Sequence, residues 1–114
     1  MFGVAIPDLD LLKIRTYAAA KVPVQFRDEI RVEVDVRGKF VTIVECRQPW
    51  REDMGREWTR QGVARMKHDD GANAWTLSGA DGNGRWHVFD LVDPGSIDEI
   101  LSAIELDQSS IFWG

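Results

Sequence analysis

Hydrophobic residues near the start of the chain recur at helical spacing. They lie three or four positions apart, at Leu11, Ile14, Ala18 and Val22. This spacing places them on one face of a helix, which we expect over residues 9–21. Asp8 suits the positive end of the helix dipole, and Pro23 ends the helix. Residues 24–29 are predicted to add one short turn.

From residue 30 the pattern changes to strict alternation. The hydrophobic positions are Ile30, Val32, Val34 and Val36. They predict a half-buried strand over residues 30–37, and a tight turn at Gly38 leads to a second strand over residues 40–47. A two-residue turn places Val41 and Ile43 on the core side, and this is the prediction that we favour. A three-residue turn would instead place on that side Phe40, Val44 and Cys46.

Three more strands follow. They are predicted over residues 57–68, 74–78 and 85–90. Gly62 interrupts the first of them, and the Asp-Gly-Asn-Gly sequence at residues 81–84 is typical of a hairpin turn. Trp75 and Leu77 share one face of the fourth strand.

A second helix follows the strands. Ser96 and Glu99 form a capping box at its start, and we expect it to end near Asp107. Its hydrophobic face consists of Ile97, Ile100, Leu101 and Ile104. The element order is therefore helix, a meander of five antiparallel strands, helix. This order predicts a single α+β domain over residues 1–114, with the helices packed on one face of the sheet.

The charge of the chain is negative and unevenly distributed. It contains 14 basic and 19 acidic residues, a formal net charge of −5, which disfavours nucleic-acid binding. Residues 88–114 contain six acidic residues and no basic one, whereas residues 47–67 contain six basic and three acidic residues. Most of the basic residues are arginine, which makes bidentate and stacked contacts. We favour an arginine-rich sheet edge held in salt bridges over a dedicated anion site.

Cysteine content and hydrophobic runs indicate the compartment. Cys46 is the only cysteine, so no internal disulfide forms, which suits a reducing environment. The first seven residues do not have the basic and apolar regions of a signal peptide, and no apolar run has the length of a membrane helix. We therefore expect a cytoplasmic protein that does not enter a membrane.

Tryptophan is unusually frequent, with five in the chain. Trp75 and Trp86 lie on strands that we expect to pair, where they would face each other and stabilise the sheet. Trp50 and Trp58 lie beside arginines, an arrangement that suits base stacking, cation binding or anchoring at a protein interface. The alternative is that each of these two packs under its neighbouring loop.

Glu45 and Arg47 continue the core-facing row of the second strand if the two-residue turn is correct. Charges in such a row must be paired or lie at the end of the sheet. Two interpretations follow. One is an internal ion pair that closes the end of the core, which we favour. The other is the floor of a pocket into which Arg60, Arg85 or His87 reaches.

The sequence contains no complete catalytic or metal-binding set. Cys46 would need an adjacent base to act as a nucleophile, and no spacing links it to His68 or His87. We interpret it as a buried strand cysteine. Zinc-ligand spacing and a complete calcium loop are absent as well, so we expect neither a metal nor another cofactor.

Several short motifs together resemble a bacterial family known as domain of unknown function 3024. They are Glu45-Cys46-Arg47 with Pro49-Trp50, Glu57-Trp58-Thr59-Arg60, Trp75-Thr76-Leu77, Arg85-Trp86-His87 with Asp90, and Phe112-Trp113-Gly114. The resemblance extends from about residue 22 to residue 114. It implies a bacterial stand-alone domain and transfers no activity, cofactor or catalytic residue.

Our functional prediction is a small non-enzymatic binding module. An end of its sheet that is rich in arginine and tryptophan would contact a protein partner or a second copy of the chain. The candidate residues are Glu45, Arg47, Trp50, Trp58, Arg60, Arg85 and His87. One alternative is single-stranded nucleic acid bound by the same groups. The other is a small enzyme in which Glu45 is the acid or base and arginines hold an anionic substrate.

Overall fold

The computed structural model describes residues 6–49, 55 and 57–114. Within them it has two α-helices, one 3-10 turn at Val24–Phe26 and five strands. In chain order the elements are α1 (Asp8–Ala20), β1 (Ile30–Arg37), β2 (Phe40–Arg47), β3 (Thr59–Asp69), β4 (Ala74–Ala80), β5 (Trp86–Val88) and α2 (Ile97–Leu106). Neither helix of the described part is long and apolar enough to cross a membrane.

The five strands form one antiparallel sheet in the order in which they occur along the chain. Arg37 pairs with Phe40, so the turn between β1 and β2 has two residues. Val41 and Ile43 are consequently fully buried, as predicted from the two-residue turn. The predicted α+β meander with a helix at each end is confirmed.

Both helices pack on the same face of the sheet. Ile14 of α1 and Ile100 and Ile104 of α2 are fully buried in one cluster with the inward residues of the strands. At the start of α2, the Ser96 hydroxyl accepts the Glu99 N–H and the Glu99 side chain accepts the Ser96 N–H, which confirms the capping box. Burial of these aliphatic side chains supplies most of the stabilisation of the fold.

The other face of the sheet is opposite both helices, and we call it the open face. On β1 its outward residues are Arg31, Glu33, Asp35 and Arg37, and on β4 they include Thr76 and Ser78. On the other strands they include Phe40, Thr42, Val44, Cys46, Arg60, Gly62, Arg65, Lys67, Trp86 and Val88. Residues directly opposite each other on paired strands point to the same side, which assigns each of these to this face.

A β-bulge in β3 determines which arginines lie on the open face. Ile43 pairs with Ala64 but Val44 pairs with Gly62, so Val63 is an extra residue. Arg60 and Arg65 are an odd number of positions apart and would lie on opposite faces of a regular strand. Because of the bulge, both lie on the open face. The sequence predicted an interruption at Gly62, whereas β3 is continuous from Thr59 to Asp69 and the bulge lies at the next residue, Val63.

Two predictions about the last strands are wrong. Trp75 pairs with His68 and is fully buried on the helix side, whereas Trp86 pairs with Ala80 and lies on the open face. The two tryptophans therefore do not face each other, because the hairpin register places them on opposite sides. The fifth strand is also shorter than the predicted 85–90, since it covers only Trp86–Val88.

Candidate binding surface on the open face

A groove of about 540 Å³ runs across the open face, over β1, β2 and β3. It is lined by Asp35, Arg37, Phe40, Thr42, Val44, Arg60, Gly62 and Arg65. The groove combines three guanidinium groups with an aromatic ring, a hydroxyl and one carboxylate. Such a surface suits a partner with negative charge and some apolar contact area.

Arg65 is held between two aromatic rings. Its guanidinium carbon lies 4.7 Å from the centre of the Trp86 ring and 5.8 Å from that of Phe40. Its Nε donates a hydrogen bond to the Thr42 hydroxyl, 3.2 Å away. Its terminal nitrogens have no hydrogen-bond partner among the described residues. The arginine is thus fixed in position while most of its donors stay free.

Two further cations lie beside this arginine. The Lys67 ammonium is 5.6 Å from the centre of the Phe40 ring. Arg37 lines the same groove and has no hydrogen bond or ion pair within the part of the chain that the structure describes. We call Arg37, Phe40, Arg65, Lys67 and Trp86 the aromatic–cation patch. It carries three positive charges that no described carboxylate neutralises.

Gly62 explains why the Trp86 indole can reach Arg65. A β-carbon at position 62 would come within 2.6 Å of the indole. The absence of a side chain on Gly62 therefore lets the ring lie flat against β3, on the same face as Arg65. This contact joins β5 to β3 across β4.

Arg60, a predicted site residue, lies on the open face but is already paired. It donates hydrogen bonds to Glu33 and, over 2.8 Å, to Asp35, and these bonds link β3 to β1 across β2. The hydrogen bond to Glu33 raises the pKa of Arg60 above its ordinary value. Because two carboxylates surround its charge, Arg60 ties the strands together and contributes little net charge to the groove.

Cys46 lies next to Arg60 and is buried, which agrees with its interpretation as a strand cysteine. Burial raises the pKa of its thiol, and the nearby Glu33 raises it further. Neither histidine lies beside it, since His68 bonds to Asp70 and His87 bonds to Asp81. The thiol is therefore neutral and inert at ordinary pH.

Glu45 and Arg47 lie on the helix side of the sheet, at its end. The Arg47 Nε donates to the Glu45 carboxylate over 2.9 Å, so the two form an ion pair, but the Arg47 side chain is 59% exposed and the pair is not the internal one that we favoured from the sequence. Arg60 points to the opposite face, and β3 and β4 separate Glu45 from His87 on β5. Among the described residues, the structure does not bring Arg60 or His87 to Glu45.

The remaining predicted residues that the structure describes lie outside the groove, although Arg31, on which Trp58 stacks, is opposite Cys46 and therefore also on the open face. Trp58 stacks on Arg31, whose guanidinium carbon is 4.2 Å from its ring centre. His87 bonds through Nε2 to Asp81 at 2.7 Å, and this hydrogen bond, with that from the backbone of Arg85, lowers the pKa of Asp81. Arg85 and His87 thus belong to the β4–β5 hairpin. Trp50 lies outside the described residues.

Sequence analysis did not single out Phe40, Arg65 or Lys67. The favoured two-residue turn already placed Phe40 on the side away from the core. Arg65 and Lys67 alternate with Ala64 and Met66, which are fully buried. Arg60 lies at an even-numbered position, whereas Arg65 and Lys67 lie at odd-numbered ones. This change in the alternation along one strand could have revealed the bulge.

Comparison with models of protein families identifies the family of the chain. A family model described as Domain of unknown function (DUF3024) matches residues 4–114. The chain belongs to the DUF3024 family. No curated protein and no solved structure matches the chain.

Two of the tryptophans in the motifs that resemble the DUF3024 family make contacts that stabilise the fold of this chain. Trp75 is buried in the core, and its indole N–H donates to Asp10 of α1 over 2.8 Å. The Trp113 indole donates to the Tyr17 hydroxyl at 2.9 Å, and the Lys21 ammonium lies 4.7 Å from its ring centre. Of the motif tryptophans in the described part, Trp58 and Trp86 are the two that stack on arginines at the sheet surface.

Proposed function

We propose that this DUF3024 domain is a non-enzymatic binding module that contacts an acidic segment of a protein partner through its open face. The observation that carries the proposal is the position of Arg65. Two aromatic rings and one hydroxyl fix its guanidinium, and its terminal donors are left without a partner among the described residues. Fixing a long side chain before binding removes part of the entropic cost of association.

The aromatic–cation patch has the composition of an interface centre. Tryptophan and arginine are the residue types that most often dominate binding energy at protein interfaces. Phe40 is 42% exposed in spite of its size, and Val88 on the same face is 62% exposed. A partner chain that covers them would bury apolar surface while its carboxylates pair with Arg37, Arg65 and Lys67.

The carboxylates near the groove favour a protein partner over a polyphosphate chain. Asp35 lines the groove, and Glu33 lies on the same strand face beside it. Both would repel a continuous row of phosphates, whereas a polypeptide can place its own basic or polar residues opposite them.

Single-stranded nucleic acid is the second candidate, and one observation favours it. The acidic residues of α2, which would repel phosphates, lie on the helix side of the sheet and therefore away from the open face. Aromatic rings on an uncovered sheet face can also stack bases. The cations that already lie over both rings leave less ring surface for this purpose.

Titration with two defined polyanions tests the proposal. A glutamate-rich peptide and an oligouridylate are added in turn at low salt while tryptophan fluorescence is recorded. We expect the peptide to bind, and Arg65→Gln to weaken that binding by about tenfold, the loss of one charge-assisted contact. Arg85→Gln, which changes an arginine on the β4–β5 hairpin, is the matched control and leaves binding unchanged. Tighter binding of the oligouridylate would favour the second candidate, and binding of neither would contradict the proposal.

A further inference from the structure

β1 is an edge strand whose outer side is open within the described residues. It pairs with β2 over all eight of its residues without a bulge, and no strand of the described part pairs with its other side. Edge strands are commonly protected by charged side chains, proline, a bulge or short length. β1 has no proline and is longer than an average strand, and its four charged residues are two basic and two acidic, so an antiparallel copy can place opposite charges against them.

A crevice lined mainly by aliphatic side chains runs along this edge, between β1 and α1. One part, of about 410 Å³, is lined by Ala19, Val22, Ile30 and Val32 among others. An adjoining part of about 400 Å³ continues along the strand to Val34. A strand added to the edge of β1 would place every second side chain over this crevice.

We propose that a second copy of this chain occupies the edge, with its β1 antiparallel to the first and Glu33 opposite Glu33 of the second copy. A twofold axis perpendicular to the sheet relates the copies. The two sheets then form one continuous ten-stranded sheet, twice the five strands of one copy.

Charge complementarity selects this register among those that keep the valines on the helix side. It places Arg31 opposite Asp35 of the second copy, and Glu29 opposite Arg37 of the second copy. Symmetry repeats both pairs, which gives four attractive pairs. Moving the axis from residue 33 to residue 34 would instead place Arg31 opposite Arg37, and Glu33 opposite Asp35.

The register also covers hydrophobic residues of the edge. Val32 would lie opposite Val34 of the second copy, and Ile30 opposite Val36. Val36 is 40% exposed in one copy, so its burial favours association. The two Glu33 carboxylates that meet at the axis are each bonded to Arg60 of their own copy, which reduces their repulsion.

Charge exchange between residues 29 and 37 tests the pairing. Neither side chain has a hydrogen bond or ion pair in the described part of one copy, so their substitution should not disturb folding. Sedimentation of the wild-type protein without ligand should give about twice the 12.9 kDa of one chain. Glu29→Arg and Arg37→Glu should each weaken the dimer about tenfold, because each converts two symmetric attractive pairs into repulsive ones. The double variant should restore it.

Disulfide cross-linking tests the register. Single cysteines are placed at residues 32, 33, 34 and 35 of a Cys46→Ala chain, because the Glu33 side chain contacts Cys46 and a thiol at residue 33 would compete to form a disulfide within one chain. The Cys46→Ala chain itself is the control. Mild oxidation should cross-link the residue 33 variant most rapidly, since only that position faces itself. A wild-type monomer at all concentrations, or fastest cross-linking at another position, would overturn the proposal. These measurements use no ligand, so their outcome is independent of binding to the open face.

Discussion

The six-membered ring of the Trp86 indole lies against Gly62, so close that a β-carbon on Gly62 would come within 2.6 Å of it. Through this contact the Trp86 ring of β5 packs on the same face as Arg65 of β3, although β4 lies between the two strands. It therefore connects the shape of the sheet to the aromatic–cation patch. An alanine at position 62 must displace the ring or bend β3.

We predict that Gly62→Ala lowers the free energy of unfolding by about 1 to 3 kcal/mol, the usual cost of overpacking. Urea unfolding followed by tryptophan fluorescence measures the change. Gly82→Ala is the matched control, since nothing lies within 4 Å of a β-carbon there. In a Trp86→Ala background the same Gly62→Ala change should cost far less. Equal costs in both backgrounds would show that the ring contact is not the cause.

Asp107 holds the last described residues against α2. Its carboxylate accepts the backbone N–H groups of Phe112, Trp113 and Gly114 at 2.9, 2.8 and 3.1 Å. We predict that Asp107→Asn destabilises the fold by about 1 to 3 kcal/mol, because the amide keeps only one acceptor oxygen and its NH2 group faces the backbone donors on the other side. Gln108→Ala, at an exposed neighbour, should change stability by less than about 0.5 kcal/mol. Thermal unfolding of both variants measures these two changes in stability.

We predict that protonation of Glu105 at acid pH lowers the free energy of unfolding. Hydrogen bonds from Lys21 and from Tyr17 lower the pKa of this carboxyl below its ordinary 4.5. The unfolded chain therefore binds more protons than the folded one in acid, and the contribution of Glu105 is complete above about pH 4.5 and lost below it. Glu105→Gln should flatten the decline in unfolding free energy below that pH. Asp93→Asn, at an exposed acid outside this cluster, should leave the decline unchanged, and an identical decline in both variants would contradict the assignment.

The Cys46 thiol should resist modification. Burial and the neighbouring Glu33 raise its pKa, so the reactive thiolate is scarce in the folded protein. We predict that a disulfide reagent at pH 8 labels the native chain at least about tenfold more slowly than the urea-unfolded chain. Equal rates would show that the thiol is accessible, which would contradict the structural role of Cys46.

Local sequence signals sufficed for much of the fold. The two-residue turn at Gly38 determined the buried side of β2, and the spacing of Ser96 and Glu99 located the start of α2. These features depend on neighbouring residues only, so the sequence displays them directly.

The candidate surface depended on relationships that neighbouring residues do not show. Arg60 and Arg65 share a face only because Val63 is an extra residue in β3. Trp86 reaches Arg65 only because the hairpin register turns it away from the helices and Gly62 has no side chain. The pairing of Arg60 with Glu33 joins strands that are not neighbours in the sheet. The sequence favoured salt bridges among these arginines but could not show which carboxylates form them.

NMR can locate the surface to which an acidic partner binds. Isotope-labelled protein is titrated with a glutamate-rich peptide while the backbone amide and tryptophan indole resonances are followed. We predict that the largest shifts occur at Phe40, Thr42, Arg65 and the Trp86 indole, with little change in α2. Shifts confined to the helix side or to the β4–β5 hairpin, or no shifts at all, would contradict this prediction.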